Sequence, residues 1–381
     1  MASTAPAAKR LTGIHVPASS SVSVPEKPGS KGSSSRRNPH PDAMNTQHRR
    51  GLLGAMARHQ IDGPLVLIVA VLGMYALFPT SFARKFILFQ AYDAATDTYG
   101  QSMDDLYFLF FWVAVFTFLR AALMTYVLMP MARLLGATSE RLVVRFAEQG
   151  WSCLYYSCSW VLGMSCLQQT TTWNNKFIWY NTDEFFDGFP ITSLSLVTKS
   201  YYLLQFSFWL SQLFVICIEE PRKDFVAMIC HHIVTLLLII SSLLQHITTF
   251  GIAVFVSMDL ADIILSFGKC LKYIEMPDKI CDPIFACFMG VWVYTRHFLY
   301  GTIIYAWIAH AGNYFSTTMY LIIGGLLLML QSLMYFWLWS ILRIVYKMFV
   351  SKGGVVDDRS DDEDETVEES TSSKQKTQRR P

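Results

Sequence analysis

Charge is what this 381-residue chain has least of. Only 16% of its residues are charged and 52% are apolar, where ordinary soluble domains carry about a quarter charged residues. With 14% aromatics and 17 Met, the deficit points away from a soluble domain and toward a membrane protein. The charges that remain are dense in both tails and sparse between about residues 63 and 350. The net charge of +2 averages a basic head with an acidic foot, so it says little about partners. No apolar run begins within the first thirty residues, so no cleavable signal peptide is expected and insertion starts at the first internal helix. The eight cysteines form no CxxC pair and mostly lie within apolar runs. They read as small buried hydrophobes rather than a Cys-rich metal site. There is no N-x-[ST] sequon, no G-x-S-x-G nucleophile elbow, no Cys–His motif and no evident internal repeat of the transporter kind.

What is present is a series of long apolar runs. A spanning helix needs about 20 such residues, and eight segments qualify: about 62–81, 105–129, 150–169, 197–217, 224–246, 249–271, 282–307 and 317–348. Segment 83–92 is too short to span and is expected at the interface. Residues 1–60, rich in Ser, Pro, Lys and Arg, bury too little apolar surface to offset the entropy of ordering and read as disordered. Basic residues near span ends favour the cytosol. Arg49, Arg50 and Arg58, the 131–149 loop, Arg222 with Lys223, and the Lys272–Lys279 loop agree on one orientation. Both termini are then cytosolic. In the acidic tail from residue 351, Ser360 and Thr366 each have an acidic residue three places on. That spacing suits an acid-directed kinase, against plain solubilisation by a block of like charge.

Ionisable residues inside spans are costly and face a bundle interior or a wet cavity. His231 and His232 lie six or seven residues into the fifth segment, roughly 9–10 Å from its cytosolic start. Thr235 is one turn beyond His231. In the sixth segment Asp259, Asp262, Ser266 and Lys269 fall at i, i+3, i+7 and i+10, a single helical stripe. A short turn near 248–251 makes the two segments antiparallel neighbours, so the His pair and the Asp pair meet in the cytosolic half of the bilayer. A histidine with an orienting carboxylate acts as base or nucleophile at neutral pH and suits acyl transfer to an amine. Two His and two Asp equally suit a zinc or iron site, a proton relay in a transporter, or mutual satisfaction at a helix interface. Spacing alone leaves these open. Arg296, deep in the seventh segment, is expected to pair with an intramembrane carboxylate.

The run RKDFVAMICHHIVTLLLIISS…G…MDLADIILSFGK resembles the Lag motif of longevity-assurance-type ceramide synthases. The motif falls on Arg222, Lys223, Asp224, His231, His232, Thr235, Ser241, Gly251, Asp259, Asp262 and Lys269. RFAEQGWSCLYY, with Trp151, and KSYYLLQ, with Tyr201, Tyr202 and Gln205, look like the opening of the surrounding TLC domain. The resemblance covers roughly residues 141–350. Many members carry His where this chain has Met258 and Tyr where it has Ser242. The homeobox-like insert of animal members is missing, which looks fungal.

The resemblance implies an all-α polytopic membrane protein of about eight transmembrane helices, the last six forming a TLC-type barrel. Residues 1–60 would be a basic cytosolic tail, 61–140 two peripheral spans, 141–350 the TLC domain, and 351–381 an acidic cytosolic tail. It implies acyl transfer from a fatty acyl-CoA to the amine of a sphingoid base, in the endoplasmic-reticulum membrane, with acyl-CoA as co-substrate and no cofactor or metal. His231, His232, Asp259 and Asp262 would be the catalytic centre. Arg222, Lys223, Thr235, Ser266, Lys269, Arg296, Trp151, Tyr201 and Tyr202 would bind substrate or support the site. Partners implied are membrane lipids, a small single-span accessory subunit and a homo- or heterodimer with a paralogue, with no nucleic acid. The rival reading is a non-enzymatic TLC-type lipid-handling or translocon-associated protein.

Overall fold

The computed structural model describes residues 59–78, 80–169, 182–218 and 224–351. Arg222, Lys223, Ser360, Thr366 and the tails, all but the last two residues of 1–60 and the first of 351–381, lie outside the described residues. The elements in chain order are α1 (Asp62–Leu77), α2 (Ser81–Ile87), a two-stranded antiparallel hairpin of β1 (Tyr92–Asp93) and β2 (Thr98–Tyr99), and α3 (Asp105–Leu134). Then follow α4 (Glu140–Gln168), a 3-10 turn (Thr182–Phe186), α5 (Leu196–Ile218), α6 (Phe225–Leu244) and α7 (Thr248–Tyr273). Last come α8 (Asp278–Val293), a π turn (Tyr294–Leu299), α9 (Tyr300–His310), a 3-10 turn (Ala311–Asn313) and α10 (Thr317–Ser351).

The chain is an all-α polytopic membrane protein. Among the described residues, α3, α5, α6, α7 and α10 are long and apolar enough to cross a bilayer. Of the other expected spans, α1 is apolar but has only 16 residues. The helix at the expected third span, α4, is not among those five and starts ten residues early, at Glu140. The Ser139 hydroxyl accepts from the Leu142 amide at 3.3 Å and Glu140 sits in the first turn, favourable against the helix dipole. Arg141, Arg145 and Glu148 hide this first part of α4 from a hydropathy reading. The short segment after α1 is the seven-residue α2, capped by Thr80, which accepts from the Ala83 amide. The turn between α6 and α7 lies at residues 245–247, with Thr248 already the first residue of α7.

Helix α3 packs on α5, and α1 and α2 pack on α3. The remaining helices pack in pairs along a circuit: α4 on α5, α5 on α6, α6 on α10, α10 on the π turn and α9, α8 on α7, and α7 back on α4. Helix α7 packs far more extensively against α4 than against its hairpin partner α6. The α6–α7 hairpin is therefore splayed, and the space between its arms is where the cavity lies. At the base of α5 the buried Lys199 ammonium uses all three donors. It meets Asp105 Oδ2 at 2.9 Å, the Gln90 carbonyl at 2.7 Å and the Gly100 carbonyl at 2.8 Å. A buried ammonium is tolerated only when so satisfied. This knot ties the β-hairpin region and the start of α3 to α5.

Candidate active site

The cavity holds about 740 Å³ of empty space, adjoining open space included. At one end it is lined by His231, Thr235, Asp262 and Arg296, and at the other by Phe250 and Trp307. Its walls between these ends are aliphatic and aromatic, among them Leu238, Ile239, Val254 and Phe255. From His231 to Ser242, both lining the cavity, is roughly 17 Å along the α6 axis. The polar side chains thus gather at one end of a cavity whose remaining lining is mostly apolar.

At the polar end, the His231 ring lies edge-on to Trp209 and Trp337, with centroids 5.4 Å from each. Its Nδ1 is buried and makes no hydrogen bond, and neither does the buried Thr235 hydroxyl one turn further on. Orphan polar atoms are uncommon in native interiors, and these two sit side by side on the cavity wall, open to a group that enters it. The neighbouring His232 has a different environment. Its Nδ1 donates to the Met228 carbonyl at 2.7 Å, which fixes the proton on Nδ1 because a carbonyl only accepts. Trp209 is 5.4 Å from this ring too, and the two imidazoles themselves meet edge-on with centroids 5.6 Å apart. His232 does not line the cavity.

The two aspartates diverge, because three residues along a helix is a turn of about 60° from alignment. Asp262 faces the π turn, where Arg296 Nη2 meets its Oδ1 at 2.6 Å. Widening one turn of the helix re-aims side chains, and here the π turn buries Thr295 and Arg296. Arg296 Nη2 also donates to the Met258 carbonyl at 3.1 Å, and the guanidinium lies 4.2 Å from the Trp292 ring centre. Asp259 instead faces α4, where the Ser159 hydroxyl donates to its Oδ2 at 2.5 Å. Gln205 Nε2 donates to Ser159 Oγ at 2.6 Å and to Tyr201 Oη at 3.1 Å, and Gln205 Oε1 accepts from Tyr155 at 2.9 Å. One chain of hydrogen bonds thus joins α4, α5 and α7 and ends on the Asp259 carboxylate. The stripe of Asp259, Asp262, Ser266 and Lys269 is divided between two neighbours rather than presented to one.

Of the other residues singled out in the sequence, Ser242, Gly251 and Met258 line the cavity, whereas Trp151, Tyr201, Tyr202, Ser266 and Lys269 do not. Tyr202 shares a 2.7 Å hydrogen bond with Ser242 and donates to the Thr248 carbonyl at 2.9 Å, bracing the α6–α7 turn. Trp151 is buried on α4, and Ser266 is buried on α7 with Lys269 half-buried beyond it. Trp209 and Ser159 were missing from the sequence reading. Tyr201, Gln205 and Trp209 stand at i, i+4 and i+8 on α5, a polar-aromatic stripe that was the available signal. Among the described residues no three His, Cys, Asp or Glu side chains converge as a metal set.

Comparison with known proteins matches residues 145–343 to the TLC domain. The chain is 36% identical over 324 residues to sphingosine N-acyltransferase lag1 of Schizosaccharomyces pombe, covering 81% of each protein. It is 32% identical over 338 residues to ceramide synthase LAG1 of Saccharomyces cerevisiae, covering 84% of this chain and 80% of the relative. Bovine ceramide synthase 4 is 33% identical over 227 residues, with 58% of this chain covered and 56% of the relative. The matched region begins early in α4, runs through both arms of the splayed hairpin and ends in α10. By domain and by relatives alike, the chain belongs to the TLC-domain family, in the branch that holds the fungal ceramide synthases.

Proposed function

We propose that this protein joins a fatty acyl group, carried as acyl-CoA, to the amine of a sphingoid base, with His231 as the group at the reacting carbonyl. The observation that carries this is His231 itself, whose ring borders the polar end of an otherwise mostly apolar cavity with a buried Nδ1 free of hydrogen bonds. An acyl chain suits the apolar end, and the thioester then lies at the polar end. In the reaction the amine nitrogen forms a bond to the acyl carbon, the C–S bond breaks, and the proton lost from nitrogen ends on the departing CoA sulfur. Two routes use the same ring. Either His231 takes the amine's proton as the nitrogen attacks, or it attacks the thioester itself and an acyl-imidazole is resolved by the amine.

Within this reading the four intramembrane residues have separate parts. Asp262, held by Arg296, sets the charge at the polar end. His232 seats Trp209 behind His231, and Asp259 anchors α7 to α4 and α5 through Ser159 and Gln205. No cofactor is required beyond the co-substrate. The endoplasmic reticulum, cytosolic termini, eight spans with a six-helix barrel, basic CoA-phosphate contacts from Arg222 and Lys223, a small single-span subunit, a dimer and phosphorylation at Ser360 or Thr366 complete the proposal.

The test is an assay of the protein purified with its native partners, supplied with acyl-CoAs of several lengths and a sphingoid base. Wild type is expected to release ceramide, and His231→Ala to lose at least about 100-fold in kcat, the usual contribution of a positioned base or nucleophile. Incubation with acyl-CoA alone, followed by acid quench and mass analysis, separates the routes. An acyl adduct on His231 supports the covalent one; a fully quenched sample without it leaves the base. Wild type that makes no ceramide would return the chain to the lipid-handling reading.

A further inference from the structure

A second polar pair lies within the membrane region, apart from the cavity residues. His297 on the π turn and Gln331 on α10 meet at 2.9 Å between the imidazole Nδ1 and the amide nitrogen. Both reach outside this contact with nothing to bond: His297 Nε2 and Gln331 Oε1 are buried and have no hydrogen-bond partner. Gln331 is only 9% exposed. Leaving two such atoms orphaned in an apolar surrounding is costly, because each has given up its bond to water without gaining another.

The chemistry of the pair is specific. With the amide donating to Nδ1, the imidazole carries its proton on Nε2 and offers a donor, while Gln331 Oε1 offers an acceptor. Reversing amide and tautomer exchanges those roles and still leaves one donor and one acceptor. A hydroxyl, which donates and accepts at one oxygen, satisfies both at once. The position of the pair is equally informative. Arg296 and Leu330, each the residue just before, line the cavity. On the outer side His297 stacks on the ring of Tyr335 at 4.7 Å, and Tyr335 is 58% exposed. The pair therefore sits in the seam between the π turn and α10, with the cavity on one side and the bilayer-facing surface on the other.

We infer that His297 and Gln331 form a recognition site for a hydroxyl of the sphingoid base as it enters laterally through this seam. This rests on the acyl-transfer reading above. An amphiphile with an alkyl tail and an amino-alcohol head is dissolved in the bilayer and reaches the polar end from the side. Its hydroxyls need partners at that depth. The acyl-CoA, whose head is fully ionised, has no such need and enters from water.

The experiment measures KM for dihydrosphingosine and KM for acyl-CoA, each with the other saturating, in the full chain with its native partners. Variants are His297→Phe, Gln331→Leu and both together. Each single change is expected to raise KM for the base about tenfold relative to KM for acyl-CoA, the effect of one lost hydrogen bond to a buried partner. The double variant is expected to lose little more than either single one, because both residues hold one hydroxyl. His297→Gln, which keeps a donor and an acceptor, is expected to recover part of the loss. The ratio of the two KM values is independent of how much of a variant is folded. A base KM unchanged in the variants, or both KM values rising together, overturns the site. Wild type that makes no ceramide removes the reading beneath it instead, and that result is seen before any variant is compared.

Discussion

Arg296 has three partners for one guanidinium inside the bundle: the Asp262 carboxylate, the Met258 carbonyl and, from Nη1, the Met334 sulfur at 3.1 Å. The arginine is 4% exposed at its side chain and the aspartate 24%, the latter opening on the cavity. A charge pair of this kind is weak evidence for net stability, but breaking it strands the partner. Arg296→Met is therefore expected to cost about 3 kcal/mol, below the upper end for buried pairs because Asp262 is partly wet. Adding Asp262→Asn removes the stranded charge and is expected to restore a large part of that loss, read as thermal unfolding in detergent. Equal losses in single and double variants would mean that the guanidinium acts through packing on Trp292 and not through charge. The same contrast separates the residues by role. His231 has a free buried nitrogen, whereas Asp259 accepts from Ser159, which in turn accepts from Gln205. A polar residue's type is visible in the sequence, but which neighbour it faces depends on how helices far apart in sequence pack.

At the level of elements, the splayed α6–α7 hairpin is held at its closed end by one close approach. Gly251 in the first turn of α7 lies against the Tyr202 hydroxyl and Ser242 Oγ, so that a Cβ there would collide with Tyr202. Those two side chains are the hydrogen-bonded brace of the α6–α7 turn. Gly251→Ala is expected to destabilise the protein by about 1–3 kcal/mol, the usual cost of overpacking. It is also expected to raise KM for the long-chain substrate, since Gly251 borders the cavity. A variant with wild-type melting and kinetics would show that the turn yields without disturbing the apolar end. The motif resemblance picked out this glycine, but its reason lies in α5, whose Tyr202 occupies the place of a side chain. The short turn between the helices was legible from the hydrophobic runs alone. The separation of α6 from α7 was not, because it follows from α7 packing along α4.

For the molecule as a whole, periodicity and charge placement revealed an all-α membrane protein, because that depends only on local sequence. They missed the first turns of α4, whose charges mask a helix that becomes apolar later, and they could not show where the cavity ends. That end is built from three distant segments. Phe250 and Trp307 line it, and the 3-10 turn before α5 backs them, with Phe185 and Phe186 centred 4.8 and 5.0 Å from Phe250. Trp307 is fixed in turn by donating from Nε1 to the Tyr320 carbonyl at 3.1 Å. If an acyl chain fills the cavity, this aromatic wall limits its length. Phe250→Leu opens space at a cost of only about 1 kcal/mol, whereas Phe250→Ala would cost about 3–5 kcal/mol and obscure the result. With acyl-CoAs of graded length in competition, the Leu variant is expected to shift its products toward longer chains, severalfold in the ratio of longest to shortest. Because each buried methylene is worth about 0.8 kcal/mol, even one carbon more or less at the wall should register in that ratio. A length profile identical to wild type in a folded, active variant would mean that the acyl chain lies elsewhere, and that this cavity receives the base alone.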